Sequence, residues 1–434
     1  MDEMQELMQF LDNSVTSYHA VCEVEKQLKK SGFEQLSEKN IWNLEQGKKY
    51  YMIRNDSSLM AFRIPDCDIS ELKGFHIMAA HTDSPAFKIK ENPEMEKEGS
   101  YVVLNTEKYG GMIMSTWMDR PLTIAGRVCL ERDGEIVSYP VKLDDNICMI
   151  PNLAIHMNRE MNNGVALNPQ VDMLPLLTTM YNKEESGTKT IKKMLVEVLN
   201  AQYGEQITEE EILATDLFVE NCEKAVLVGM DKEFIMAPRY DDLACVFGGM
   251  KGILKAKSEC YIDMLAIFDN EEVGSLTRQG ADSTLLRDTL DNIAEGLQVS
   301  PAVLRTWIAG SFLVSADNAH ACHPNQNGKA DPTNKPFLNK GIVLKYHGSQ
   351  KYATDAYSAA FVKALCKKCD VPIQTYANRS DIAGGSTLGN LVMAQVSMPA
   401  ADIGLPELAM HSAFETAGVI DLKYFVRFSE SFFA

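Results

Sequence analysis

Four apolar runs in this chain end abruptly on residues that carry chemistry, and that repeated ending constrains the fold more than any other feature. Phe75-His76-Ile77-Met78-Ala79-Ala80 stops at His81-Thr82-Asp83-Ser84. Cys260 to Phe268 stops at Asp269-Asn270-Glu271-Glu272. Phe312-Leu313-Val314-Ser315 stops at Ala316-Asp317, and Gly341 to Leu344 stops at Lys345. Helical segments separate these strand-like runs. Strands alternating with helices predict an α/β fold with a mainly parallel sheet. In such sheets ligands bind beyond the carboxyl ends of the strands. Here those ends carry His, Asp, Glu and Lys.

The N-terminal part fits the same plan. Met4, Leu7, Met8 and Leu11 lie at helical spacing, so residues 2–12 form an amphipathic first helix. Ala20 to Lys30 is a second helix ending at Gly32. Tyr51-Met52-Ile53 and Leu59-Met60-Ala61-Phe62 are strands. From about 92 to 236 the texture changes. Strand-like runs appear at Tyr101 to Leu104, Leu122 to Leu130 and Ile136 to Val141, with a helix-like apolar stretch near 150–158. Polar punctuation follows at Asn182 to Thr190 and Glu205 to Glu211. The expected organisation is one domain from 1–92 plus 237–434, with a β-rich second domain inserted at 93–236.

Composition narrows the function. The 434 residues are 45% hydrophobic and 24% charged, as in ordinary globular proteins. No run approaches the roughly 18 apolar residues that span a bilayer. The start, Met1-Asp2-Glu3-Met4, lacks the basic-then-apolar pattern of a secretion signal, so a cytoplasmic location is expected. With 42 basic against 60 acidic residues the net charge is −18, which disfavours nucleic acid and anionic membrane as partners. The ten cysteines show no disulfide framework and read as reduced thiols. Cys366-x-x-Cys369 lacks the second pair of a zinc ribbon and reads as part of a helix from about Asp355 to Cys369.

Only eight histidines are available as imidazole ligands: His19, His76, His81, His156, His320, His323, His347 and His411. In His81-Thr82-Asp83, residues two apart on a strand end share a face. A metal-bound imidazole wants its second nitrogen tied to a carboxylate, so His81 is a candidate ligand and Asp83 its orienting partner. Asp241-Asp242 adds adjacent carboxylates, which could equally be first-turn acids of a helix. In Glu271-Glu272, one residue can ligate a metal while its neighbour takes a proton from water. Asp317 follows another apolar strand, and Met410-His411-Ser412 offers a second imidazole. Two imidazoles, three carboxylates and a spare glutamate fit a two-metal hydrolytic site.

This ordered set resembles the M18 metallopeptidases, the aspartyl aminopeptidases. The resemblance begins near Ser17-Tyr18-His19-Ala20-Val21 and continues through His81-Thr82-Asp83-Ser84-Pro85, then Thr116-Trp117-Met118-Asp119-Arg120-Pro121-Leu122. It runs on through Asp269 to Ser275, Ser315-Ala316-Asp317 and His320-Ala321-Cys322-His323-Pro324-Asn325. Asn378-Arg379-Ser380-Asp381, Gly384-Gly385-Ser386-Thr387-Leu388-Gly389 and Met410-His411-Ser412 complete it. The resemblance implies a dinuclear metalloaminopeptidase with two divalent ions per subunit, zinc first, with manganese or cobalt as alternatives. It implies that His81, Asp241 and Asp317 hold one ion and that Asp241, Glu272 and His411 hold the other. Glu271 would be the general base, Asp83 would buttress His81, and His320 would stabilise the oxyanion. The family pattern Arg-Leu-Asp-Asn-Leu stands here as Arg239-Tyr240-Asp241-Asp242-Leu243, so an extra acid, Asp242, replaces a neutral neighbour.

The resemblance also implies substrates. Lys345, seven residues before Tyr352, matches the family's pocket for acidic side chains, which implies peptides with N-terminal Asp or Glu. The intervening Tyr346-His347-Gly348-Ser349 departs from the family's small polar residues. The alternatives are an aminopeptidase of broader or neutral specificity, or a catalytically weak shell-forming protein. His156, in a Leu-Ala-Ile-His setting, implies a residue reaching a neighbouring subunit's site. The implied assembly is a homo-oligomer, a dodecamer built from dimers through the inserted domain. Gly384 to Gly389 lacks the Gly-Lys-[Ser/Thr] ending of a phosphate loop and reads as a close-packed turn near the site.

Overall fold

The computed structural model describes residues 2–144, 146–180, 190–204 and 206–434. They form two compact units. The larger comprises Met1–Asp83, Ala225–Met410 and Glu415–Ala434; the smaller comprises Ser84–Lys224 with His411–Phe414. These boundaries differ from 93 and 236, for reasons of strand pairing. Ala86–Lys97 is one long strand that pairs with Tyr101–Tyr109 and with Ala214–Asn221, so it belongs to the smaller unit. Val226–Val228 and Phe234–Ala237 pair with each other, and the latter pairs with Glu415–Gly418, so they belong to the larger one.

The larger unit is built on a nine-stranded sheet. Its order is Glu34–Gln35, Lys49–Arg54, Ser58–Arg63, Tyr261–Phe268, Gly74–His81, Phe312–Ala316, Ala400–Gly404, Ile342–Tyr346 and Ile373–Ala377. Tyr261–Phe268, Gly74–His81, Phe312–Ala316 and Ala400–Gly404 run parallel. Antiparallel neighbours flank them on either side. Side chains alternate along these strands, and helices cover both faces. Met78, Leu265 and Val314 join Leu7, Val24, Phe247 and Phe425 in one core cluster. Their neighbours Ile77, Met264 and Leu313 join Leu290, Ile293, Trp307 and Val392 in another. The fold is therefore α/β, as the alternation of runs predicts. A separate five-stranded sheet in this unit includes Ala319–His320, Pro406–Leu408 and Glu415–Gly418.

The helices begin and end where the sequence provides caps. Glu3–Asn13 has an Asp2–Gln5 capping box and buries Met4, Leu7, Phe10 and Leu11. Ala356–Lys368 is capped by Asp355 and ends on Cys369, so Cys366 and Cys369 lie in and at the end of a helix. Among the described residues no helix is long and apolar enough to cross a membrane.

The smaller unit is an antiparallel six-stranded sheet. Its order is Glu135–Lys142, Leu122–Arg132, Ala214–Asn221, Ala86–Lys97, Tyr101–Tyr109 and Leu176–Thr179. Helix Ile191–Tyr203 buries Leu195 and Leu199 in its core. The stretch 150–158 is not a helix. Asn152 is fastened to Asp119 by its main-chain N–H at 2.8 Å and its side-chain amide at 2.7 Å. A single turn follows, with Asn158 N–H on the Ala154 carbonyl at 3.2 Å. Leu153 (49%), Ile155 (49%) and Met157 (74%) stay exposed, so no buried face exists to stabilise a longer helix. Of the predicted polar punctuation, 182–189 and Glu205 lie outside the described residues.

Truncating Phe425, fully buried between helix and sheet, to Ala should cost about 3–5 kcal/mol. Truncating Ile41, 91% exposed, should change stability by less than about 0.5 kcal/mol. Urea unfolding of the two variants measures the difference.

Candidate metal centre

The parallel strands end along one edge of the sheet, and the predicted ligands collect there. His81 is the last residue of Gly74–His81 and pairs with Phe268, the last residue before Asp269-Asn270-Glu271-Glu272. Asp317 directly follows Phe312–Ala316, and its N–H donates to the Ile403 carbonyl at 3.0 Å. That close passage requires Gly404: a Cβ there would lie 1.9 Å from the Asp317 carbonyl oxygen. Asp241 and Asp242 stand at the start of Tyr240–Leu254 but leave helical geometry, with ψ of 115° at Asp241, and the peptide between them is cis. The pair is therefore not a plain helix first turn.

One ligand atom from each of His81, Asp241, Asp242 and Asp317 fits within a 4.8 Å span. His81, Glu271 and Glu272 form a second group of the same size. His81 is 1% exposed. Its Nδ1 lies 3.0 Å from the Asp83 carbonyl oxygen and 3.4 Å from the Asp83 carboxylate. A carbonyl can only accept, so Nδ1 carries the proton and Nε2 carries the lone pair.

Three acids tie down the main chain of the site. Asp83 accepts the N–H groups of Glu271 and Glu272 at 3.0 and 3.1 Å, so it holds the glutamate turn as well as the imidazole. Asp242, fully buried, accepts the His81 N–H at 3.1 Å. Glu415 accepts the Asp241 N–H at 3.0 Å. The sequence reading missed Glu415, because nothing in its spacing marks a buried acid whose partner lies 174 residues away.

The electrostatics calls for a cation. Burial pushes Glu271 well above the ordinary carboxylate range; Asp317, Glu272 and Asp83 add to the shift, and His81 opposes it. Burial does the same to Asp242, and it raises Asp317 against the opposing charge of Lys345. Burial alone would lower His81, but Asp242, Asp83 and Glu271 hold it well above its usual range. Carboxylates packed this densely cannot all ionise without added positive charge. Oxygen donors with one imidazole suit zinc, manganese or cobalt rather than thiophilic copper(I). The residues therefore fit a divalent ion.

Lys345 is 2% exposed. It lies within Ile342–Tyr346 rather than just after the strand. Its Nζ donates to the Asn318 carbonyl at 2.9 Å and stands 3.6 Å from Asp317 Oδ1 and 5.3 Å from the centre of the Tyr352 ring. Tyr352 is buried. His320 is exposed, with its ring edge-on to Tyr376 at 6.0 Å. His411 groups with the smaller unit, where Nδ1 donates to the Gly111 carbonyl at 2.7 Å. His156 lies in the exposed turn of the smaller unit.

Comparison with known proteins agrees with this chemistry. Residues 10–433 match the family model described as aminopeptidase I zinc metalloprotease (M18). A probable M18 family aminopeptidase 2 of Clostridium novyi is 45% identical, over 99% of this chain and 98% of the relative. The cryo-EM structure of the Ape4 and Nbr1 complex superposes with a TM-score of 0.95 at 35% identity, covering 99% of this chain and 85% of that one. The S. cerevisiae mApe1 dodecamer superposes with a TM-score of 0.86 at 28% identity, covering 100% of this chain and 96% of that one.

Asp269 is pushed up to about 7 by burial and by Asp83, in the same direction as Glu271 and Asp242. Such acids keep protons in the folded state that the unfolded chain has lost, so their contribution to stability falls as pH rises, for Asp269 through about 4 to 7. The raised His81 imidazole acts in the same sense, since its contribution is lost as pH rises through its folded pKa. A divalent cation replaces those protons. The rise in melting temperature on adding zinc to chelated protein should therefore grow between about pH 5 and pH 8. A rise that shrinks over that range contradicts the site.

Proposed function

We propose that this chain, which belongs to the M18 family of aminopeptidases, removes N-terminal Asp and Glu residues from peptides at a two-metal site. One observation carries the reading. The ligand atoms of His81, Asp241, Asp242 and Asp317 converge at the strand ends, and Glu271 and Glu272 gather around the same imidazole. In this reading His81, Asp241 and Asp317 would hold one ion, and Asp241, Glu272 and His411 would hold the second. Zinc, named in the family's description, is the proposed metal.

When bound, the ions supply Lewis acidity, which acidifies water and polarises the scissile carbonyl. Glu271 takes a proton from the attacking water and returns it to the leaving amine. Burial raises its proton affinity, the direction that favours a carboxylate acting as a proton acceptor. Asp83 fixes where that base stands, through the main chain of Glu271 and Glu272. His320 donates to the developing oxyanion. Nδ1–H of His81 and of His411 each face a carbonyl, which supports both as Nε2 ligands.

Specificity is assigned to Lys345 and Tyr352. Burial would lower the Lys345 ammonium, but Asp317, Tyr352, Asp402 and Asp241 hold it charged, above its ordinary range. A fixed buried cation beside the ligand Asp317 suits an acidic side chain on the residue being removed. Assembly into a dodecamer built from dimers is proposed through the smaller unit, with His156 reaching a neighbouring subunit's site. The exposed Leu153, Ile155 and Met157 around it support a covering partner, and the mApe1 relative is a dodecamer. A cytoplasmic location agrees with ten free cysteines.

The test is initial rates on Asp-, Glu-, Leu- and Lys-anilides after chelation and re-addition of zinc, manganese or cobalt. Metal-dependent cleavage confined to Asp and Glu is expected. Cleavage led by Leu removes the specificity assignment and keeps the metal chemistry, whereas no cleavage with any metal favours a shell without catalysis. In the same assay Glu271→Gln should lower kcat about 10²- to 10⁴-fold while metal content stays unchanged. Unchanged kcat would exclude Glu271 as the base.

A further inference from the structure

Asp402 is fully buried, and beyond its share in holding Lys345 charged it has no part in the chemistry described so far. It stands on Ala400–Gly404, between the strand that leads to Asp317 and the strand that carries Lys345. Its register partner on one side is Ser315. On the other side Ile403 pairs with Leu344, and the antiparallel register sets Lys345 opposite Asp402. Paired residues on neighbouring strands face the same way, so Asp402 and Lys345 share a face of the sheet.

The carboxylate of Asp402 is committed on both oxygens. Oδ2 accepts the Ala353 N–H at 2.5 Å, and Oδ1 accepts the Thr387 hydroxyl at 2.5 Å. Its own N–H donates to the Thr354 hydroxyl at 2.9 Å. Ala353 and Thr354 directly follow Tyr352, and Thr387 is the N-cap residue of helix Leu388–Gln395. Asp402 therefore stitches the Tyr352 segment and the glycine-rich turn onto the strand beside Lys345. The glycine at 389 makes room for this: a Cβ there would stand 2.7 Å from Asp402 Oδ2 and 3.0 Å from Ser315 Cβ.

We infer that Asp402 is the positioning residue of the acidic-substrate pocket, holding Tyr352 against Lys345 and supplying the buried negative charge that keeps Lys345 in place. A buried ammonium needs fixed opposite charge, and Asp317 is already claimed by the metal centre in the proposed reading. The inference rests on that reading's assignment of Lys345 and Tyr352 to the substrate's side-chain carboxylate. It adds a residue that touches neither substrate nor metal and sets where both pocket residues stand.

The experiment compares KM and kcat on Asp-, Glu- and Leu-anilides for the wild-type enzyme, Asp402→Asn and Thr387→Val, each loaded with zinc. Asp402→Asn should raise KM for the acidic substrates about tenfold relative to Leu, with kcat on Leu nearly unchanged. Thr387→Val keeps the charge and removes one hydrogen bond. It should shift the same ratio in the same direction by a smaller factor, and it decides the matter if Asp402→Asn fails to fold. Asp263→Asn is the control. It removes a buried carboxylate that is bonded to Ser258 and salt-bridged to Arg63, and it should lower stability without moving the ratio. Equal losses on acidic and neutral substrates, or an unmoved ratio in Thr387→Val, overturn the inference and leave the specificity reading intact. A wild-type enzyme without acidic preference overturns both.

Discussion

The packing of six carboxylates around one buried imidazole is the constraint on which the rest of this structure depends. Asp83, Asp241, Asp242, Asp317, Glu271 and Glu272 stand at or beside His81, at strand ends lined by apolar cores. Water would relieve such crowding on a surface, but here burial raises the proton affinity of several of these acids. The fold holds the like charges together, and divalent ions are the natural remedy. Stability, metal loading and reactivity in the larger unit are therefore linked through one charge balance.

The same acids also serve as mechanical ties. Asp83 accepts N–H groups from the glutamate turn, Asp242 from the end of the His81 strand, and Glu415 from Asp241. In each case a carboxylate fixes the main chain of a residue whose side chain faces the site. This arrangement lets loops beyond strand ends behave as rigid supports. Asp402 repeats it one strand further along, beside Lys345 and Tyr352. Asp242 stands where the resemblance expects an asparagine, and its contact with the His81 N–H gives that residue a supporting role.

Much of this was legible in the sequence because strand ends advertise themselves. A buried parallel strand is a short apolar run, and the first polar residue after it lies at the carboxyl edge. That pattern located His81, Glu271, Glu272, Asp317 and Lys345. Asp241 and Asp242 were legible as acids but not as a distorted helix start. Main-chain conformation of that kind depends on tertiary contacts such as Glu415. Asp402 was invisible because it lies inside a strand and resembles any other isolated acid. The stretch 150–158 misled because apolar residues normally mark a core. Here Leu153, Ile155 and Met157 face outward. The boundary at Ser84 was missed because Ala86–Lys97 reads as a continuation of the preceding strands, whereas its pairing partners lie in the smaller unit.

In the proposed function, this chain's own strand ends create a centre that takes two divalent ions. The most direct test is the metal content of the purified protein after saturation with zinc and removal of excess, measured by elemental mass spectrometry per chain. Two zinc ions per chain are expected, falling to one or none in Asp241→Asn, which removes the ligand proposed to be shared. A saturated stoichiometry of one, or two ions retained by Asp241→Asn, would contradict the proposal.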